Sequence, residues 1–220
     1  LVNEFKISPA KVQVTPLGVD DKLFFPKPKS ENNTDRIIIM YHGSYIPNHG
    51  VETIIRAAAN LSRYSTFTFR LIGDGEGKSH AMQLADKLGV ENIEFLSKVP
   101  FEQLSDYIAN SDIVLGVFGD TSQARKAMAN KILEGLAMQK TVVTGNTMSI
   151  RENFKHMKHL WLVPLADASA LSDSLILLSK DKSLMTELAE SGYLRVVDRL
   201  TPIAVGKALV DNLYTITERQ

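Results

Sequence analysis

The sequence predicts an α/β fold of the Rossmann-like kind, a doubly wound parallel β-sheet flanked by helices, with further helices at the C-terminus. Short, nearly unbroken apolar runs recur along the chain, as expected of strands buried on both faces of a parallel sheet. Most are followed by a polar loop and then by a segment with helical apolar spacing, the alternation that builds βαβ units. The composition suits such a fold, because 220 residues that are 44% hydrophobic and 23% charged can bury an ordinary core.

Residues 1–35 read as a lead-in segment and linker outside the core. Residues 11–15 alternate like a strand, residues 16–20 turn the chain, and the prolines and polar side chains of residues 26–35 favour a surface loop. The domain proper is expected over residues 36–200. It opens with a buried-type strand at residues 36–42 (RIIIMYH) and a loop from Gly43 to Gly50. A helix over about residues 51–62 then keeps Ile54, Ile55, Ala58 and Leu61 on one face. A strand at residues 66–72 leads through GDGEG to a helix over about residues 78–88. That glycine string misses the dinucleotide fingerprint by one place, and Glu94, near the position of its acidic partner, falls inside the next strand, so a dinucleotide cofactor is disfavoured.

Residues 92–96 form a short strand, residues 97–100 a loop, and residues 101–109 a helix with Leu104, Tyr107 and Ile108 inward. Strands at residues 113–118 and 141–144, a helical turn at 150–154 and a strand at 159–164 with Trp161 in the core continue the pattern. Helices at residues 169–179 and 182–199 precede a last one from Thr201, an expected N-cap, with Pro202 at its first position. Residues 201–220 are therefore set apart as a C-terminal helix.

Composition also narrows the function. With 25 basic and 25 acidic side chains the net charge is zero, which removes the broad electrostatic footprint of a nucleic-acid or acidic-membrane binder. Anion binding must then be local. The absence of cysteine excludes disulfides, thiolate metal sites and cysteine nucleophiles, and fits a reducing compartment. No apolar run approaches the roughly 20 residues of a membrane span, and the opening residues do not read as a signal peptide. The start at Leu1 suggests a part of a longer protein, with trimming as the alternative.

The chemistry concentrates between residues 116 and 146, where Arg125, Lys126, Asn130, Lys131 and Glu134 gather between a strand's end and a helix start. Ligands of open parallel sheets sit beyond the carboxyl ends of the strands, where helix N-termini point. Lys131 and Glu134 are three apart and share a helix face, so they offer a cation and a carboxylate to a ligand carrying phosphates and hydroxyls. On composition alone the same pair reads first as a solvated ion pair on a surface helix. The Gly43–Gly50 loop can present backbone N–H groups to a phosphate or serve only as a tight turn, and His49 within it is a phosphate donor or a structural histidine. His42, His80, His156 and His159 lack metal-ligand spacing, and no metal is assigned.

Several segments occur in the order of one known family. They are TPLGVD from Thr15 with Phe25-Pro26, the Gly43–Gly50 loop with Val51-Glu52, Ile72-Gly73-Asp74-Gly75, Asn110-Ser-Asp-Ile113, and Leu133-Glu134 through Met138 ahead of Val142-Val143. From about Lys11 onward the chain resembles the C-terminal, donor-binding half of family-4 retaining glycosyltransferases, two-domain enzymes of GT-B architecture. The resemblance implies a nucleotide-diphosphate sugar as substrate, such as a UDP- or GDP-sugar, and no cofactor. It implies that Glu134 holds ribose hydroxyls and that Gly43, Ser44, His49, Gly50 and Asn130 line the nucleotide-sugar site. It further implies a cytoplasmic enzyme of polysaccharide biosynthesis, at the inner face of the membrane when intact. Its acceptor domain lies N-terminal to this chain and provides any membrane contact.

The chain departs from that family where it places an arginine and a lysine in the first loop, here Ser44 and His49, and a sugar-contacting glutamate eight positions before Glu134, here Lys126. In one reading Lys131, Arg125 and Lys126 supply the catalytic charge from the other side of the cleft, as in a subgroup whose Asn-Lys-x-x-Glu is similar to residues 130–134. In the other, the site is degenerate and the domain is a non-catalytic α/β binding module. A sugar-nucleotide epimerase-like domain is a third alternative.

Overall fold

The computed structural model of the chain describes residues 2–12, 14–30, 36–126 and 128–217. Gln13 of the expected first strand, residues 31–35 of the linker, Ala127 and residues 218–220 of the last helix lie outside the described residues.

Six strands form one parallel sheet: β1 (Ile37–His42), β2 (Phe67–Ile72), β3 (Ile93–Leu96), β4 (Ile113–Leu115), β5 (Thr141–Gly145) and β6 (Trp161–Val163). Their order across the sheet is β3-β2-β1-β4-β5-β6. Helices join them, α1 (Val2–Phe5) standing apart at the start and α2 (Val51–Asn60), α3 (Lys78–Leu88), α4 (Phe101–Ala109), α5 (Asn130–Ala137) and α6 (Met148–Asn153) following in turn. The chain closes with α7 (Ala168–Lys180), α8 (Lys182–Arg199) and α9 (Pro202–Thr217). The strand order reverses direction between β1 and β4, which leaves a crevice above that pair at the carboxyl edge.

The pleat divides the core in two. Ile39 and Tyr41 of β1, with Ile113 and Leu115 of β4, join a cluster under α2, α3 and α7. Met40 and Val114, one residue out of phase, join a second cluster with α4, α5 and α8. His42 follows Met40 by two residues and so belongs to the α5 side. Gly135 lets α5 lie close on the sheet, since a Cβ there would stand 3.0 Å from both Val114 and Val142. Caps set the later helices: Thr147, Asp167 and Asp181 accept from Ile150, Ala170 and Leu184 backbone N–H groups at the starts of α6, α7 and α8. Thr201 accepts in the same way from Ala204 at α9, as its sequence position leads one to expect.

Three expectations are corrected. The alternation at residues 11–15 does not make a strand: Pro9–Lys11 forms a single 3-10 turn, and the described residues from Val12 to Thr15 belong to no strand. The lead-in segment also reaches the core, since Val19 and Phe24 are buried in the second cluster and Val19 N–H donates to Leu200 O at 2.8 Å. The apolar run at residues 113–118 is strand only to Leu115, because Phe118 N–H leaves the ladder to bond His49 O at 3.0 Å. Among the described residues no helix is long and apolar enough to cross a membrane.

Candidate functional site

The loop after β1 and the start of α5 meet over the crevice at the strand reversal. Gly43 has φ +134°, and a Cβ there would lie 2.8 Å from Lys131 Nζ, so the ammonium rests against bare backbone. Gly50, in the left-handed region at φ +64°, ends the loop and begins α2, and its missing side chain makes room for Gly119. Thus the segments after β1 and β4 touch directly. Asn48 ties them further, accepting from Thr121 Oγ1 at 2.6 Å and donating to Gln123 Oε1 at 2.7 Å. The glycines after β2 serve the same packing: Cβ atoms at Gly73 and Gly77 would collide with Gly43 O and Tyr45 O. That close approach is what these two positions of GDGEG require of glycine. The loop at residues 97–100 is pinned in turn by Asp74, which accepts Lys98 N–H at 2.7 Å, while Lys78 donates to Asp74, Gly73 O and Leu96 O.

Lys131 and Glu134 are buried, at 5% and 7% exposure, so the solvated surface pair is excluded. Nor do they pair with each other. Lys131 Nζ lies 4.3 Å from the centroid of the Tyr41 ring and 3.4 Å from His49 Nδ1, and makes no ion pair among the described residues. Burial, only partly offset by Glu134, pulls its amine down to about 7 from an ordinary 10.5. Glu134 Oε2 stands 2.6 Å from His42 Nε2, its one hydrogen bond among the described residues.

His49 is oriented by the loop itself. Its Nδ1 is 2.6 Å from Ser44 O, and a carbonyl only accepts, so Nδ1 carries the hydrogen. The approach of Lys131 Nζ to that nitrogen is then a contact between two donors, and the ammonium is left without an acceptor. Tyr41 Oη also donates to Ser44 O, at 2.8 Å. Burial first, and then the Lys131 cation, lower the His49 pKa. The helix start beside these groups is open as well: Ala129, the N-cap of α5, offers no side-chain acceptor to the first N–H groups. A pocket of about 180 Å³ lies next to them, lined by His49, Asn48, Gln123, Ala124 and Ala129 among others.

The structure therefore gathers Gly43, Ser44, His49, Gly50, Lys131 and Glu134 from the sequence prediction into one crevice. Asn130 stands exposed at its rim. Arg125 lies on the exposed turn at residues 122–126 and is paired with Asp120 at 2.5 Å, and Lys126 beside it is exposed. Neither is hydrogen-bonded to the buried cluster. Two members of the cluster were not anticipated, Tyr41 and His42. Alternation within the first strand puts them on opposite faces, but the contact between residues 42 and 134 spans 92 positions and has no local signature. Among the described residues no group of three His, Asp or Glu side chains is placed to hold a metal ion.

Such a crevice offers a buried cation without an ion-pair partner among the described residues, a helix start without a side-chain cap and a carboxylate one helical turn further on. The profile of the family described as "Glycosyl transferases group 1" matches residues 24–195. The lipopolysaccharide core biosynthesis glycosyltransferase LpsE of Rhizobium meliloti is 25% identical over 189 residues, covering 84% of this chain and 52% of that protein. The chain thus spans about half the length of this curated relative. Among solved structures, the C-terminal domain of the Francisella tularensis group 1 protein LpcC superposes with a TM-score of 0.70 at 20% identity, covering 84% of this chain and all of that one. Anabaena HepE, solved in complex with UDP and glucose, reaches 0.78 at 19% identity over 92% of this chain and 56% of its own. At these identities the two structures speak for the fold.

Proposed function

From the premise that the chain belongs to the group 1 glycosyl transferases, we propose that it is the donor-binding half of a retaining enzyme that takes a sugar from a nucleoside diphosphate. The carrying observation is Lys131, a buried ammonium at the strand reversal with no carboxylate against it. Burying an unpaired cation is costly, and an anionic ligand removes that cost. A diphosphate seated against Lys131, the Gly43–Gly50 backbone and the open start of α5 meets all three at once. Glu134, one turn along, then accepts from the ribose hydroxyls.

In the reaction the main barrier is charge building on the leaving diphosphate. Lys131 opposes it from within the crevice, and Arg125 and Lys126 do so from the rim once the turn that carries them closes on the ligand. In this reading no cofactor or metal takes part. The acceptor, a carbohydrate or a lipid-linked sugar, is held by an N-terminal half, with residues 1–35 leading in from it and residues 201–220 returning towards it. Such an enzyme serves polysaccharide biosynthesis on the cytoplasmic side of a membrane. LpsE and the UDP complex of HepE support this reading by their names alone. A second reading, a binding module without catalysis, is favoured by the Asp120 partner that already occupies Arg125.

Calorimetry on this chain with UDP and GDP tests the donor site. Binding at millimolar concentration or below is expected, with affinity lowered at least about tenfold in Lys131→Ala and in Glu134→Ala. No binding of either nucleotide contradicts the site. Sugar transfer by the protein extended with its N-terminal half, and none by this chain, separates the enzyme from the module.

A further inference from the structure

One buried titratable side chain has no part in the chemistry above. His42 ends β1 at 6% exposure, directly before Gly43, and its ring is polar on both sides. Nε2 meets Glu134 Oε2 at 2.6 Å, while Nδ1 is buried without any hydrogen-bond partner among the described residues. A carboxylate only accepts, so Nε2 carries the hydrogen. A second hydrogen on Nδ1 would be a buried donor with nothing to receive it. The ring is therefore a one-sided donor aimed at a single oxygen. An apolar residue would fill this place without stranding Nδ1, so packing alone does not account for a histidine here.

We propose that His42 is a positioning residue for ribose recognition: it holds Glu134 by Oε2 and leaves Oε1 as the acceptor for the vicinal hydroxyls of a nucleoside diphosphate. The inference rests on the reading of the crevice as a nucleotide site and adds to it the residue that orients its carboxylate. Without the N–H donor, the Glu134 carboxylate has no hydrogen-bond partner among the described residues and is free to rotate away from a ligand. His42 then acts on the ribose only through Glu134. Its loss leaves the diphosphate contacts intact.

The test compares UDP and GDP with their 2′,3′-dideoxy forms and with inorganic pyrophosphate, by calorimetry on wild type, His42→Leu, His42→Gln and Glu134→Ala. Wild type is expected to prefer the ribonucleotide about tenfold over its dideoxy form. His42→Leu brings that ratio close to one while pyrophosphate binding stays unchanged, and His42→Gln, whose amide N–H takes the place of Nε2–H, restores part of it. In the Glu134→Ala background, His42→Leu has no further effect. A preserved ratio in His42→Leu overturns the proposal, as does an equal loss for all three ligands. If wild type binds no nucleotide, the donor-site reading falls and this one falls with it; if wild type discriminates and the variant does too, only this one falls. Should the variants not fold, imidazole nitrogen NMR of the wild type decides: the Nε2–H tautomer in the free and UDP-bound protein is required, and the Nδ1–H tautomer overturns the assignment.

Discussion

Lys131 carries opposed demands. Held at about 7 by burial against 10.5 in an unfolded chain, its amine binds fewer protons folded than unfolded between those two values. Its penalty on stability is therefore full at and below about pH 7 and shrinks as pH rises towards 10.5. Lys131→Met, which keeps a long side chain over the Tyr41 ring, should stabilise the protein by on the order of 2 kcal/mol at neutral pH while abolishing diphosphate affinity. Urea unfolding of both proteins from neutral to alkaline pH checks this: the gap between them must close as pH rises. A wild type as stable as the variant at neutral pH contradicts the assignment of a costly buried cation. Sequence alone placed Lys131 and Glu134 on one helix face and at a strand's end. It did not reveal that each would turn to a different partner, because Tyr41 and His42 are brought to them only by packing of α5 on the sheet.

At the scale of elements, the site depends on loops that touch backbone to backbone. Gly50 and Gly89 share the same conformation, φ 64° and ψ 40°, each beside a helix end. They differ in surroundings. A Cβ at Gly50 would fall 2.3 Å from Gly119 N, whereas nothing lies within 4 Å of one at Gly89. Gly89→Ala should cost about 1 kcal/mol, the price of the left-handed backbone. Gly50→Ala should cost about 3 kcal/mol and lower Tm by roughly 5–10 °C, because the two loops must also part. Equal Tm losses in thermal unfolding would show that the loops are not in contact. Here the sequence was readable in part: glycines at residues 43, 50, 73 and 75 flagged loops, but which of them abut was not written in any local pattern. The apolar run at residues 113–118 misled for a related reason. Gly116–Phe118 are as buried as a strand, and Gly116 and Val117 still bond β5, yet the Phe118 N–H turns to the segment after β1.

For the whole molecule, the strand order is what turns scattered residues into a site. Apolar periodicity gave a parallel sheet, and the reversal between β1 and β4 follows once β1 is central. The loop after each of these two strands then has one place to go, above their shared carboxyl edge. Exposed apolar side chains on α9, such as Ile203 at 81%, mark a surface that the described residues leave open.

The proposed donor site turns on one buried ammonium. Its most direct measurement is the titration of Lys131 by side-chain NMR, free and with UDP or GDP at saturation. In the free protein the amine should titrate near 7. With bound diphosphate it should move up, with nucleotide affinity falling as pH rises above the free value. An amine that titrates at its ordinary value in the free protein, or one that bound nucleotide leaves unmoved, contradicts the account.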